Sequence, residues 1–257
     1  MTRPWLLGSV AIGVAVGLGG LYGCDAAPAA QPESDALPLV ETAAPSRVRV
    51  AIGSNAGGAT KSVDVGAREV TVSAFAACVE AQACTLDHVH VQEGSPCNYA
   101  ASDRKDHPIN CVDWYGAEQY CKWAGGRLCQ PDEWFAACRG LADTDYPYGP
   151  SFDAASCNAL TQTGPKVPRG TEAVGTSPGC EGGYPGLADM VGNVSEWVDD
   201  CTGDYCKFYG GSYTTNEPLE DFASCKKFCA GNQKSFRSST IGIRCCHDDA
   251  ARAPSGG

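Results

Sequence analysis

Sixteen cysteines make thiol and disulfide chemistry the first possibility to consider in this chain of 257 residues. A reducing cytosol would leave most of them as reactive thiols, so their number predicts an oxidising compartment and a framework of disulfides. Zinc is the alternative, but no C-x2-C unit occurs and the chain has only four histidines. Closeness in sequence suggests four local pairs, although it cannot fix the connectivity: Cys78–Cys84, Cys97–Cys111, Cys157–Cys180 and Cys201–Cys206.

Other reactive groups form no recognisable catalytic pattern. His88 and His90 could bind one metal from a strand, but an isolated His-x-His pair is more often a surface or core feature. The chain has no G-x-S-x-G nucleophile motif and no phosphate-binding loop. The sequence therefore contains no motif that would support serine-type hydrolysis or nucleotide binding.

The overall charge argues against nucleic acid as a partner. The chain has 19 basic and 30 acidic residues, a formal net charge of −11, and no basic patch. It is rich in glycine (31) and proline (16), while 43% of its residues are hydrophobic. This composition is typical of a folded but loop-rich protein and not of a disordered one.

The N-terminal segment predicts an exported lipoprotein. Arg3 precedes an apolar run from Leu6 to Leu21, which is shorter than the roughly 20 residues of a membrane span and therefore favours a cleaved signal over a signal anchor. The next residues form a lipobox, in which cleavage before Cys24 leaves a cysteine that is diacylated. We expect a signal peptide at 1–23, and a protein anchored through Cys24 on the periplasmic or cell-surface side of a bacterial membrane.

Beyond Cys24, an Ala/Pro-rich segment up to residue 46 predicts a flexible tether. The folded domain is expected at 47–246, followed by a polar tail at 247–257. Alternating apolar residues predict strands at Arg47–Ile52 and Glu69–Phe75. Asp113 can cap a helix that continues to about Ala124, and Pro131 suits the first turn of a helix that ends near Gly140.

Six short blocks, each weakly specific alone, occur in a fixed order along this domain. They include HPINCVDW from His107, YPYG from Tyr146, GLADMVGNVSEW from Gly186, GGSY from Gly210 and IGIRC from Ile241, with the two predicted helices between the first and second of these. Together the blocks resemble the formylglycine-generating enzyme (sulfatase-modifying factor) family over nearly all of residues 47–246. The resemblance implies an α+β, C-type-lectin-like fold that is loop-rich and stapled by disulfides, with Trp123, Trp134 and Trp197 as packing residues.

The resemblance also implies two long-range disulfides. In family members with such bonds, the cysteine of the first helix pairs with that of the IGIRC-like block, which corresponds to Cys121–Cys245. The cysteine that ends the second helix pairs within the segment between GGSY and IGIRC, which corresponds to Cys138–Cys229. Three cysteines are then left over, and two of them can pair with each other: Cys129, Cys225 and Cys246.

Active members of the family use Cu(I) held by two thiolates, with dioxygen, to convert a substrate cysteine to formylglycine. Soft sulfur ligands suit Cu(I). The first of the two family cysteines corresponds to Thr215, whose hydroxyl is no substitute for a thiolate. The second falls near Ser224 or Cys225, beyond a spacer longer than that of the family. Cys225 is therefore either a remnant of the copper site or a disulfide partner, and the second interpretation is preferred.

A family calcium site has better-preserved residues. The resemblance assigns its ligands to the side chains of Asp189 and Glu196 and to the backbone carbonyls of Gly192 and Val194. Oxygen donors at this spacing on a tight loop suit a hard cation. Without the resemblance, a solvated acidic turn would be the preferred interpretation of the same residues.

Two functions follow as expectations. The first is a membrane-anchored binding or scaffold module without the copper site, which recognises a protein or glycan near Thr215, Cys225 and Arg244. The alternative is a formylglycine-generating oxidase with a rearranged thiol pair, such as Cys225 with Cys129 or Cys246. The absence of a cysteine at Thr215 favours the first.

Overall fold

The computed structural model describes residues 46–53, 61–153, 155–159, 170–215, 223–226 and 230–248. The predicted signal peptide, Cys24 and the tether before residue 46 lie outside these residues, and so does Cys229. Within the described segments, no helix is both long and apolar enough to cross a lipid bilayer.

The first sheet joins the two ends of the domain. It consists of β1 (Arg47–Ile52), β2 (Lys61–Gly66), β3 (Arg127–Leu128) and β8 (Cys245–Asp248), in the order β1-β2-β8-β3. All of its pairings are antiparallel, and the β2 residue Val65 lies opposite Cys246. Because β8 extends to Asp248, His247 is a buried strand residue and not the start of the expected tail.

The GNVSEW block leads into the second sheet, and the GGSY block directly follows one of its strands. It contains β4 (Ser195–Thr202), β5 (Tyr205–Tyr209), β6 (Ala230–Gln233) and β7 (Ile241–Gly242), in the order β6-β5-β4-β7. The β4–β7 pair is parallel and the other two pairs are antiparallel. Glu196 on β4 is thereby placed between Tyr209 of β5 and Gly242 of β7.

The strand predicted at Glu69–Phe75 is wrong, because most of this segment belongs to a helix. α1 runs over Val72–Glu80, and the Thr71 side chain caps it by accepting a hydrogen bond from the Ala74 N–H at 3.1 Å. Val72 and Phe75 are buried three positions apart, a spacing that puts both on one face of a helix and would put them on opposite faces of a strand. The N-cap and the alanine-rich continuation are the local features that favour a helix here.

The other two predicted helices are confirmed. α2 (Trp114–Trp123) begins after Asp113, whose side chain accepts from the Gly116 N–H at 3.0 Å. α3 (Pro131–Arg139) begins at the expected proline and is followed by Gly140 at φ 61°. Its first turn contains Glu133, which accepts from the Gln130 N–H as in a capping box.

Seven disulfides use all fourteen cysteines within the described residues. The four local pairs and Cys121–Cys245 are as expected, and two of the three leftover cysteines form Cys129–Cys246. The predicted Cys138–Cys229 bond is wrong, since Cys138 is bonded to Cys225. Three of these bonds link α2, β3 and α3 to the C-terminal part of the domain, so they stabilise the contact between distant segments.

Two buried tryptophans occupy the centre of the molecule. Trp134 and Trp197 have no exposed surface, as expected of packing residues, whereas Trp123 is 42% exposed and is not a core residue. Small sheets, three short α-helices and long connections make up the described residues. The predicted α+β, loop-rich and disulfide-stapled architecture is confirmed.

Candidate functional site

The GGSY turn contains the position where the resemblance places the first copper ligand. Gly210 and Gly211 adopt positive φ angles of 96° and 67°, and the turn brings Thr215 back onto Ser212. The Ser212 N–H donates to Thr215 Oγ1 at 2.9 Å, and the Thr215 N–H donates to the Ser212 carbonyl at 2.8 Å. Thr215 is buried and its hydroxyl serves as a structural acceptor within the turn.

Cys225 cannot act as a thiolate in this structure. Its sulfur is bonded to Cys138, it has no exposed surface, and its N–H donates to the Asp145 carbonyl at 2.7 Å. The expectation that Cys225 could be a catalytic residue is therefore wrong for the disulfide-bonded protein. The proposed thiol pairings with Cys129 or Cys246 are excluded in the same way, because these two residues are bonded to each other.

Arg244 lies in the core and does not line a ligand groove as expected. It has no exposed surface, and its Nε donates to Glu196 Oε1 at 2.7 Å. The other guanidinium nitrogens donate to the carbonyls of Gly66, Ala188 and Asp189 at 2.7–3.1 Å. Arg244 thus ties the two sheets to the loop that precedes β4.

Glu196 is held from two sides. Its second oxygen accepts from Trp134 Nε1 at 2.6 Å, while the first accepts from Arg244. Burial raises the pKa of Glu196, although the Arg244 charge and the Trp134 hydrogen bond oppose that effect. Burial likewise raises the pKa of Asp189, whose Oδ2 accepts from the Gly175 N–H at 2.5 Å.

A third buried acid, Glu69, was not identified from the sequence. Its two oxygens accept from Asn193 Nδ2 at 2.6 Å and from the Val194 N–H at 3.0 Å. Burial and the nearby charges of Asp189 and Glu196 raise the pKa of Glu69 well above its ordinary value. A single acidic residue before Val70 carries no sequence signal of this role.

The loop before β4 is conformationally unusual. Asp189 and Asn193 have φ angles of 57° and 50°, a region that residues other than glycine seldom adopt. Asn193 Oδ1 accepts from the Glu172 N–H at 2.9 Å and from Asn158 Nδ2 at 3.2 Å, so its amide orientation is determined by donors on both sides. These contacts hold the loop between residues 189 and 196 in one shape.

The oxygen atoms of this loop are of the type that binds a calcium ion. Three buried carboxyl groups, of Glu69, Asp189 and Glu196, lie near the buried guanidinium of Arg244, and burial raises the pKa of all three. Among the described residues, no hydrogen-bond donor lies on the buried carbonyl oxygens of Gly192 and Val194. Carbonyl and carboxylate oxygens are the ligands that Ca²⁺ prefers.

Side chains alone would not hold this cation. Across the described ranges, no group of three or more His, Cys, Asp or Glu side chains is arranged to bind a metal, so main-chain oxygens would be needed. The His88-x-His90 pair does not form a ligand set. His88 Nδ1 lies 3.2 Å from Asp113 Oδ2, and His90 Nε2 lies 3.0 Å from Gln92 Oε1.

An open polar groove adjoins the GGSY turn. Tyr213 of the turn contacts the groove residue Ser239, with 3.0 Å between the two hydroxyl oxygens. The groove has a volume of about 380 Å³, and the Cys97–Cys111 bond forms part of its lining. Its polar side chains are those of His90, Gln92, Ser95, Arg237, Ser238 and Ser239. Arg237 is paired with Asp113 at 3.1 Å. Such a surface suits a polar ligand, and it contains no thiol.

Comparison with known proteins agrees with this architecture. Residues 54–249 match the model of the sulfatase-modifying factor enzyme 1-like domain. The formylglycine-generating enzyme of Bos taurus is 37% identical over 107 residues, which are 38% of this chain and 28% of that protein. The inactive C-alpha-formylglycine-generating enzyme 2 of Bos taurus is 36% identical over 103 residues, 37% of this chain and 34% of that protein. The matches thus span about a third of either relative.

The fold is also found among solved structures. The crystal structure of CarF superposes with a TM-score of 0.57 at 22% identity and covers 79% of this chain and 98% of that one. At this level of identity the likeness concerns the fold alone.

Proposed function

The chain belongs to the sulfatase-modifying factor enzyme 1-like domain family, and on that premise we propose that it is a binding or scaffold module without the copper dithiolate of formylglycine-generating enzymes. The observation that carries this proposal is the hydroxyl of Thr215, which corresponds to the first copper cysteine of the family by sequence resemblance and accepts a hydrogen bond from the Ser212 N–H. A hydroxyl of ordinary acidity is a poor ligand for Cu(I).

The second sulfur supports the same proposal. The Cys225 sulfur is disulfide-bonded to Cys138, and the described residues contain no free cysteine. One curated relative is itself named an inactive formylglycine-generating enzyme, so loss of activity has a precedent among similar proteins. The enzyme relative argues for the alternative, a formylglycine-generating oxidase, and the experiment below separates the two.

We propose that the ligand is a protein or a glycan bound at the polar groove beside Tyr213. The groove is open and lined by three serine hydroxyls and the Gln92 amide, which can donate to and accept from sugar hydroxyls or a peptide backbone. Lipidation at Cys24 would tether this domain to a bacterial membrane and hold the groove on the extracytoplasmic side. The disulfide content supports that compartment.

We propose that calcium is a structural cofactor held by Asp189, Glu196 and the carbonyls of Gly192 and Val194. Bound there, its positive charge would favour the ionised forms of these buried acids. Asn193 and Arg244 hold the loop in the shape that presents these oxygens. No copper is proposed.

The deciding experiment counts thiols in the folded, unreduced mature protein and follows its reaction with copper. We expect at most one reactive thiol, which disappears in the Cys229→Ser variant, and no conversion of a sulfatase-derived cysteine peptide to its aldehyde with copper and air. Cys24 does not contribute, because its sulfur carries the lipid. Two thiols that bind Cu(I) tightly, together with aldehyde formation, would establish the oxidase instead.

A further inference from the structure

A second cleft lies on the first sheet, away from the GGSY turn. It has a volume of about 230 Å³ and is bordered by the start of β1, the end of β2, α1, α2 and β8. Its walls are largely apolar and include Val70, Ala74, Ala124 and Val174, with Cys245 of the Cys121–Cys245 bond. A cleft of this size suits a ligand smaller than the drug-sized molecules that fill pockets of about 300–1,000 Å³.

Tyr120 forms part of the wall and has an unusual hydroxyl. The residue is only 4% exposed, and its ring stacks on Phe75 with 5.9 Å between centroids. Burial raises the pKa of its phenol to about 12, so the hydroxyl keeps its proton. Among the described residues the hydroxyl has no hydrogen-bond partner. A buried tyrosine hydroxyl almost always has one, so this group is available to a ligand that enters the cleft.

The charges around the cleft are unbalanced. Arg47 and Arg68 are both exposed and line it, and Arg68 makes no ion pair within the described segments. Glu69 also lines the cleft, but among the described residues it forms no ion pair with either guanidinium, and both its oxygens accept from Asn193 and Val194. His247 is buried, which lowers the pKa of its imidazole and favours the neutral form. The cleft therefore presents two guanidinium groups beside an apolar interior.

We propose that this cleft binds a small monocarboxylate with an apolar body. The body would pack between α1 and α2 on the Tyr120 ring, and the carboxylate would lie near Arg68 and Arg47. The Tyr120 hydroxyl would donate to the ligand, which satisfies a group that is otherwise buried without a partner. The cleft shares no residue with the groove beside Tyr213. The failure of one binding proposal would therefore leave the other unaffected.

Isothermal titration of the mature protein with phenylacetate and with octanoate tests the proposal and separates an aromatic from an aliphatic body. Phenethylamine, which replaces the carboxylate by a cation, is the matched control and should not bind. Tyr120→Phe removes only the hydroxyl and should weaken binding about three- to tenfold, as expected for one hydrogen bond. Arg68→Gln should weaken it about two- to fivefold and reduce its salt dependence.

Lys105→Gln removes one exposed charge outside the cleft and should leave the affinity unchanged. Arg68 is exposed, so its variant should fold even if Tyr120→Phe does not. The proposal is overturned if neither carboxylate binds at about millimolar concentration, or if phenethylamine binds equally well. It is also overturned if Tyr120→Phe and Arg68→Gln both bind as tightly as Lys105→Gln.

Discussion

Arg244 donates from Nε to Glu196 Oε1 across 2.7 Å, and neither side chain is more than 1% exposed. A buried ion pair is stable only when the remaining polar atoms are also satisfied. Here the guanidinium reaches three carbonyls, and the second carboxylate oxygen accepts from Trp134. The pair thus connects the IGIRC block to the GNVSEW block through hydrogen bonds.

Removal of one partner should therefore be costly. Arg244→Leu leaves Glu196 as a buried, uncompensated charge and should lower the free energy of unfolding by about 3–5 kcal/mol in urea titrations. The control is Arg49→Leu, which breaks the exposed pair with Asp64 and should cost at most about 1 kcal/mol. Equal effects of the two substitutions would contradict the role of Arg244 in the core.

The ordered sequence blocks predicted the family fold because each block has one position in it. Asp113 and Pro131 also predicted the starts of α2 and α3 correctly, since they act through local hydrogen bonds and backbone angles. The four local disulfides were also predicted correctly, because the cysteines of each pair are close in the sequence. After Thr71 the alternating pattern predicted a strand, whereas the Thr71 cap favours a helix. The structure has the helix, so the prediction from the pattern was wrong.

Long-range chemistry was harder to predict. The partner of Cys138 depends on where the segment after Thr215 returns to α3, and its extra length leaves two cysteines, Cys225 and Cys229, as alternatives. Glu69 and Asn193 are in contact although 124 residues separate them in the sequence. Spacing within a motif carries no information about such contacts.

The contribution of Glu69 to stability should decline as the pH rises in the presence of a chelator. The pKa of Glu69 is raised in the folded protein, so the folded state binds this proton more tightly than the unfolded state. The contribution of Glu69 to the free energy of unfolding should therefore fall as the pH rises from the unfolded pKa of about 4.3 toward the folded pKa. Urea titrations between about pH 5 and about pH 7 measure this slope.

The Glu69→Gln variant should show a shallower slope, whatever its absolute stability. Its amide offers one acceptor to two donors, Asn193 Nδ2 and the Val194 N–H, so some general loss of stability is expected. Asp248 and Glu133 have lowered pKa values and affect stability only below their unfolded values of about 4, outside this window. His107 and His247 have lowered pKa values and add stability as the pH rises, but they do so in both proteins, so the difference between the two slopes reports on Glu69. An unchanged slope in Glu69→Gln would assign the effect to other groups.

Calcium should raise the melting temperature relative to chelator. Ligand at one hundred times its Kd adds about 2.7 kcal/mol to the free energy of unfolding. Asp189→Asn keeps an acceptor for the Gly175 N–H but removes a charge, so it should reduce the calcium effect without loss of the fold. Glu196→Ala should abolish the effect and also lower the basal stability. Identical melting of the wild-type protein with calcium and with chelator would remove the cation site.

The Cys138–Cys225 bond leads to a prediction that a Cys138–Cys229 bond does not share. Cys225→Ser opens a loop of 87 residues and should lower the free energy of unfolding by about 2–5 kcal/mol, with one new reactive thiol at Cys138. Cys229→Ser is the matched control and should leave both the stability and the bond intact. Urea titration and a peptide map of the unreduced protein measure the two effects. The two variants differ only in which of two nearby cysteines is lost. A larger effect of Cys229→Ser would therefore assign the bond to Cys229 and would mean that Cys225 is a free thiol.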